Sequence, residues 1–320
     1  MKERNRKLYN SSSANKFMLF LMVYLVIAML VVNIISLLVK EYDFTAFLLV
    51  ANHIISFAVP IALYMLLNKI PLKHLASFKP LDFKNILFVI GMSILAMPFM
   101  GLISSITSLF ADNQVGETIL DYIKKYPFWL CFLSTAVMPA VFEELTFRGL
   151  ILNGYKRMGA GIALAMSALY FGIMHTDAFQ FFYATAVGFM LGAMVYYTGS
   201  IYSSMLSHLI INGSQIIYVK LILMLGIEDL SAQMEITTND KLMVIVVYGV
   251  IAVIVLPFFV VLLMAFLKHN KGKNLDYIYD MEDLELYQNM KFGQGKAVDS
   301  ATIMVVVIFI LIILFQSLLR

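Results

Sequence analysis

Apolar runs of roughly 18 or more residues recur along almost the whole sequence, each long enough to cross the hydrocarbon core of a bilayer. No feature constrains the fold more. Of the 320 residues, 61% are hydrophobic and only 13% are charged, about half the charged share of soluble domains, which excludes an ordinary water-soluble fold. The chain reads as all-α: a polytopic transmembrane helical bundle of eight or nine membrane-spanning helices, with residues 1–320 forming a single integral membrane domain. A formal charge of +3 supports no general affinity for polyanions, so no nucleic-acid partner is expected. The single Cys131 excludes an intramolecular disulfide and a cysteine metal cage; it reads as a small apolar helix residue.

Apolar windows place candidate spans at about 17–39, 45–67, 85–109, 127–152, 160–175, 179–197, 202–225, 242–267 and 301–319, the fifth being short. The basic N-terminus "MKERNRKLYN" precedes a run without a small-residue cleavage site, so the first span is expected to be retained. Nine spans with the N-terminus inside put 17 of the 23 basic residues in inner segments, clustered at 2–16, 69–84, 148–157 and 268–296. That asymmetry follows the positive-inside rule and predicts a multi-pass cell-membrane protein with a cytoplasmic N-terminus. Residues 110–126 fit either an amphipathic interfacial helix, with Ile119, Leu120 and Ile123 toward lipid, or a plain connecting loop. Residues 268–297 read as a polar cytoplasmic loop.

Ionisable groups inside spans cost a few kcal/mol each on insertion scales, so each needs a reason. The candidates are His53, Glu143, Glu144, Arg148, His175 and His208. Glu144 and Arg148 stand four apart, acid first, and can pair on one helix face. Glu143 lies about 100° round the helix from Glu144, so one glutamate is left over. A helix end snorkelling to the headgroups would explain the same cluster. Pro139, one turn earlier, deprives the Thr135 carbonyl of its helical partner, which could open a wet cavity or merely kink a packed helix. His175 follows Phe171 by four, and His208 precedes Asn212 by four. Either pair could line a cavity or make a structural contact. Met158 marks the turn after the fourth span, with Glu143 15 residues before it and His175 17 after. At about 1.5 Å per residue the two reach similar depth, and His208 and Asn212 lie about 13 and 20 Å from the next inner turn. His53 reads as a structural hydrogen-bonding residue or, less simply, a gate. Ala184, Gly188 and Gly192 give the sixth span a smooth face for close packing.

"EELTFR", "FGIMH" and "HLIIN" fit Glu-Glu-x-x-x-Arg, Phe-x-x-x-His and His-x-x-x-Asn in that order on successive spans. The set resembles the CPBP family of intramembrane proteases, which includes the CAAX prenyl endopeptidases of the Rce1 type and the bacterial Abi or bacteriocin-immunity proteins. The likeness covers a core of about 127–220. It implies an endopeptidase acting on membrane-associated peptides or proteins within or beside the lipid bilayer. Glu143 and His175 would activate water, and His208 and Asn212 would bind the oxyanion. Glu144, Arg148 and Phe171 would support the site. Glu143, His175 and His208 could ligate zinc, but Glu144 is committed to Arg148, so a metal on Glu143 would leave no base; no cofactor is the favoured expectation. Two other classes compete. A non-catalytic immunity or regulatory protein could retain the scaffold. A transporter would need ionisable groups along a path to both surfaces, whereas these cluster in one place.

Overall fold

The computed structural model describes residues 10–38, 45–68, 76–226, 237–273 and 296–318. Ten helical elements follow one another. They are α1 (Ser11–Leu38), α2 (Thr45–His53, continuing through Ile54–Ala58 and Val59–Asn68), α3 (Phe83–Thr107), α4 (Gln114–Lys125), α5 (Phe128–Tyr155), α6 (Ala160–Met174), α7 (Ala178–Thr198), α8 (Ile201–Met224), α9 (Thr238–His269) and α10 (Ser300–Leu318). Among the described residues, eight of these are long and apolar enough to span a membrane. The molecule is a multi-pass all-α membrane protein. The exceptions are α4 and the 15-residue α6. At 1.5 Å per residue α6 rises about 22 Å, less than the ~30 Å hydrocarbon core. The helix ends at Met174, and His175 follows immediately as its C-cap.

Local chemistry sets the helix ends. Asp82 caps α3 by accepting from the Asn85 N–H, and Asp177 caps α7 by accepting from the Gln180 N–H. Thr237 and Asp240 form a reciprocal capping box at the start of α9. Gly199 ends α7 at φ 67°, a left-handed conformation that suits a residue without Cβ. Asp82 also gathers Lys273 at 2.9 Å and His269 at 3.2 Å from the end of α9. Burial pushes this carboxyl up, but hydrogen bonds from Lys273, the Asn85 backbone and His269 outweigh it and hold it below the usual range.

The segment 110–126 forms the interfacial-type helix α4, with one correction. Ile123 is buried against Cys131 and Ile216 instead of facing lipid, because α4 lies back on α5 and α8. Of the loop expected at 268–297, residues 268–273 and 296–297 are described and the rest lies outside the described residues.

Burial separates inner from outer helices. Half of the apolar windows of α5 and α7 is buried, against 11% for α9, and most of the short α6 is buried too, so the inner helices are α5, α6 and α7. The helix α5 packs against α1, α2, α6 and α8. Polar clamps fix the periphery. Asn85 and Asn270 exchange amide hydrogen bonds at 2.9 and 2.7 Å and tie α3 to α9. Buried Asn15 of α1 accepts from the hydroxyls of Tyr155 and Tyr170, and the Tyr170 oxygen in turn accepts from the Thr302 hydroxyl of α10 at 2.9 Å.

The tightest inner contact is α6 against α7 at Gly172. A Cβ there would overlap the Thr185 hydroxyl and sit 2.9 Å from the Phe181 carbonyl oxygen. Gly172→Ala is therefore expected to push the two helices apart and destabilise the fold by about 1–3 kcal/mol, the usual range for overpacking. Thermal unfolding of the purified variant in detergent, set against Gly161→Ala, where a Cβ meets nothing within 4 Å, measures the effect.

Candidate active site

The helix α5 is not uniform. Two π-helical segments, Leu133–Val137 and Leu145–Ile151, flank an ordinary turn, Met138–Glu144, that carries both glutamates. Such insertions recur at functional sites, since they free backbone groups and re-aim side chains. Pro139 contributes in the way its chemistry requires. It has no N–H to give the Thr135 carbonyl, and that oxygen instead accepts from the Asn212 Nδ2 at 3.1 Å. A carbonyl released in α5 is thus satisfied from α8, which fixes Asn212 with one amide N–H committed and the other unassigned.

Glu144 is completely buried. Its Oε1 accepts from Arg148 Nη1 at 2.8 Å and from His208 Nδ1 at 2.7 Å. Arg148, also buried, donates through Nη2 to the Gly188 carbonyl of α7 at 2.9 Å. Its guanidinium carbon lies 4.5 Å from the centre of the Phe171 ring, a cation–π contact. Gly188 permits this approach: a Cβ there would come within 3.0 Å of Phe171 Cδ1 and 3.1 Å of Ala168 Cα. The Glu144–Arg148 pair anticipated from the i,i+4 spacing is present. The link from His208 to the same oxygen, across 64 positions, is not legible in any local pattern. Among the described residues, Glu144 Oε2 and Arg148 Nε have no hydrogen-bond partner.

Phe171 is the hub. Its ring packs edge-on against Phe147 at 5.1 Å, His175 at 4.9 Å and His208 at 5.9 Å between centroids. His175 sits just past the end of α6, and its Nδ1 bonds the Phe171 carbonyl at 2.8 Å. A carbonyl can only accept, so Nδ1 carries the hydrogen, and in the neutral ring Nε2 then presents a lone pair. The next residue, Thr176, has φ 49°, and its carbonyl accepts from Gln316 of α10 at 3.0 Å. The turn that aims His175 is therefore held from outside.

Glu143 is accessible where Glu144 is not, with 13% of its side chain exposed. It interacts electrostatically with His53, His208 and His175, so it belongs to the same cluster as both motif histidines. Its nearest cation-capable partner is His53 of α2, with Nε2 3.8 Å from Oε1. Sequence reasoning set His53 apart from the site; only the packing of α2 on α5 brings the two together. Between α5 and α8 an apolar groove of about 460 Å³ is lined by Val137, Ala140, Val141, Met205, Leu206 and Leu209, among others. Glu144 lies one turn on from Ala140 and Val141, and His208 directly precedes Leu209.

Residues 125–214, which carry all three motifs, match the family described as Type II CAAX prenyl endopeptidase Rce1-like. Over this segment the chain is similar to the CPBP family of membrane peptidases. The protein named "Putative membrane peptidase YdiL" of Bacillus subtilis is 28% identical over 102 residues, which is 32% of this chain and 41% of that protein. The chain thus matches about two fifths of the length of that curated relative. No solved structure gives a significant match. Neither matched name mentions a metal or bacteriocin immunity.

The matched segment encloses one buried ion cluster, and its contribution to stability can be measured. Arg148→Met leaves the Glu144 carboxylate enclosed without its guanidinium, an expected loss of about 3–5 kcal/mol. The double variant Glu144→Gln/Arg148→Met removes the stranded charge as well and is expected to recover most of that loss in thermal unfolding.

Proposed function

We propose that this chain is an intramembrane endopeptidase that hydrolyses membrane-associated peptides or proteins, seated in the cell membrane with its N-terminus in the cytoplasm. The observation that carries the proposal is the convergence of a partly exposed Glu143 with His175 and His208, from three helices, beside a fully enclosed Glu144. The family description and the name of the B. subtilis relative support the class of activity.

The chemistry follows from which atoms are committed. In the proposed reaction Glu143 takes a proton from water. The Nε2 lone pair of His175 accepts the other O–H and aims the water oxygen at the substrate carbonyl carbon. As hydroxide adds, the carbonyl electron pair moves to oxygen. Two donors are proposed for that oxyanion: the second N–H of Asn212, and the Nε2–H of His208 in its imidazolium form. In that form Nδ1–H still donates to the Glu144 carboxylate. With His208 protonated, the formal charges of Glu143, Glu144, Arg148 and His208 cancel. Collapse breaks the C–N bond, and the proton held on Glu143 passes to the leaving nitrogen. The apolar groove between α5 and α8 is proposed to hold the hydrophobic part of the substrate.

No metal is part of the proposal. Among the described residues no group of three or more His, Cys, Asp or Glu is spaced to hold an ion, and His208 Nδ1 is turned to Glu144. A chelator such as phenanthroline should accordingly leave the rate of the purified protein unchanged. Loss of activity restored by zinc would overturn this part.

Comparing the membrane peptidomes of a Glu143→Gln strain and its parent tests the proposal with no substrate chosen in advance. Product termini should disappear from the variant, with the purified rate falling by about 10²–10⁴, the range for loss of a general base. His208→Ala and Asn212→Ala should each cost about 10²–10³ in rate, as for other oxyanion donors. Unchanged product termini in the Glu143→Gln strain would remove the endopeptidase reading.

A further inference from the structure

We infer that His53, on α2 and outside the segment that matches the family, is a positioning residue for Glu143: it holds one carboxylate oxygen so that the other faces the water. The inference rests on the proposed hydrolytic reading for its purpose, but its geometry stands independently of that reading.

A general base on a flexible chain is useful only if one oxygen is kept aimed at the proton it takes. Oε1 of Glu143 faces His53 Nε2 at 3.8 Å. That is beyond hydrogen-bond length and within ion-pair reach; such contacts at active sites are commonly long without substrate and tighten when it binds. The two side chains are similarly enclosed, at 14% and 13% exposure. Glu143 is also under the influence of Arg148 on its own helix and of His175, Tyr183 and His208 from the neighbouring elements, but these act on it electrostatically, and none forms an ion pair with it among the described residues. His53 is the imidazole set directly against its oxygen.

The other ring nitrogen identifies the form of His53 that fits. Nδ1 is buried and has no hydrogen-bond partner among the described residues. Buried N–H groups without partners are rarer than acceptors without partners. The fitting tautomer is therefore neutral, with a bare lone pair on Nδ1 and the hydrogen on Nε2, directed at Glu143. The ring plane is fixed as well. His53 stacks on Phe57 at 6.1 Å and 22°, and Phe57 packs edge-on against Phe147 of α5 at 6.5 Å. The π-helical segment Ile54–Ala58 starts immediately after His53, and Phe57 within it is buried. The imidazole is thus referenced through two aromatic contacts to the same helix that carries Glu143.

Dicyclohexylcarbodiimide attacks protonated carboxyl groups in membrane proteins, and mass spectrometry can quantify its adduct at Glu143 with Glu143→Gln as the blank. Full-length protein in detergent at neutral pH is the sample. His53→Phe keeps the ring against Phe57 and removes the donor; labelling of Glu143 is expected to rise at least tenfold. His53→Gln restores an N–H at similar reach and should label within about threefold of the parent. Should His53→Phe not fold, as judged by thermal unfolding, His53→Asn, whose amide is too short to reach, takes its place. Equal labelling in parent and donor-free variant, or an equal rise in donor-free and His53→Gln variants, overturns the inference. On the peptides that Glu143→Gln fails to cleave, the donor-free variant should lose at least tenfold in kcat with KM unchanged; a change in KM alone also overturns it. If Glu143→Gln itself still cleaves, the endopeptidase reading falls, and the labelling result alone decides whether His53 holds the carboxylate.

Discussion

A carboxylate with no solvent contact has to be compensated by charged partners or expelled, and Glu144 is the point from which the rest of this structure follows. An isolated ion in a medium of low dielectric is prohibitively costly, and pairing offsets that cost only when the geometry is good. Here one oxygen receives both a guanidinium and an imidazole within 2.8 Å. Arginine is required in a way lysine could not satisfy. One planar group reaches Glu144 with Nη1 and the Gly188 carbonyl with Nη2 while lying on the face of Phe171. Those contacts join α5 to α6, α7 and α8. The cluster is better regarded as a device for fixing the relation of four helices than as a source of stability, since a buried ion pair seldom outperforms well-packed apolar side chains.

Helices in lipid must satisfy their backbone internally, so every interruption needs a local remedy. The interruptions here coincide with the polar side chains of the site. The Thr135 carbonyl in one π-helical segment of α5 is taken by Asn212. The Phe171 carbonyl near the end of α6 is bonded by His175, and Thr176 in the following turn by Gln316. His53 stands at the entry to the π-helical segment of α2. Helix irregularity and polar function are thus one feature: a spare carbonyl both demands and orients a donor, and the donor's remaining atoms are what a reaction can use.

The apolar runs made the fold class legible, because bilayer thickness imposes a length that few other constraints produce. The i,i+4 pairs were legible for the same kind of reason: helical periodicity fixes which side chains share a face. Glu144 with Arg148 is therefore readable by eye. What escaped reading depends on how separate helices register against each other. The sequence pattern assigned Glu144 wholly to Arg148, yet a carboxylate oxygen has room for two donors, and His208 takes the second place. Ile123 was oriented by the apolar face of α4 alone, and that face turned out to have protein beneath it. His53 lies ninety positions from Glu143 in a helix without a motif. No local rule reports that separation; only the packing of α2 on α5 does.

The two adjacent glutamates illustrate how environment divides labour between identical groups. Their sequence neighbourhoods are nearly the same, but their enclosure is not. Glu144 is inaccessible, and its Oε1 is occupied by two donors, so it has no path to a substrate or to a water beside one. Glu143 retains an exposed fraction and faces imidazoles instead of a guanidinium. An arginine partner would hold a base permanently ionised and tightly bound, which suits a structural anion. A neutral imidazole, as proposed for His53, donates an N–H without placing a fixed charge beside the carboxylate. A base that must bind and release a proton in each cycle is better served by the second kind of neighbour. That difference, more than the motif, is the physical reason to propose Glu143 as the base and Glu144 as the structural anion.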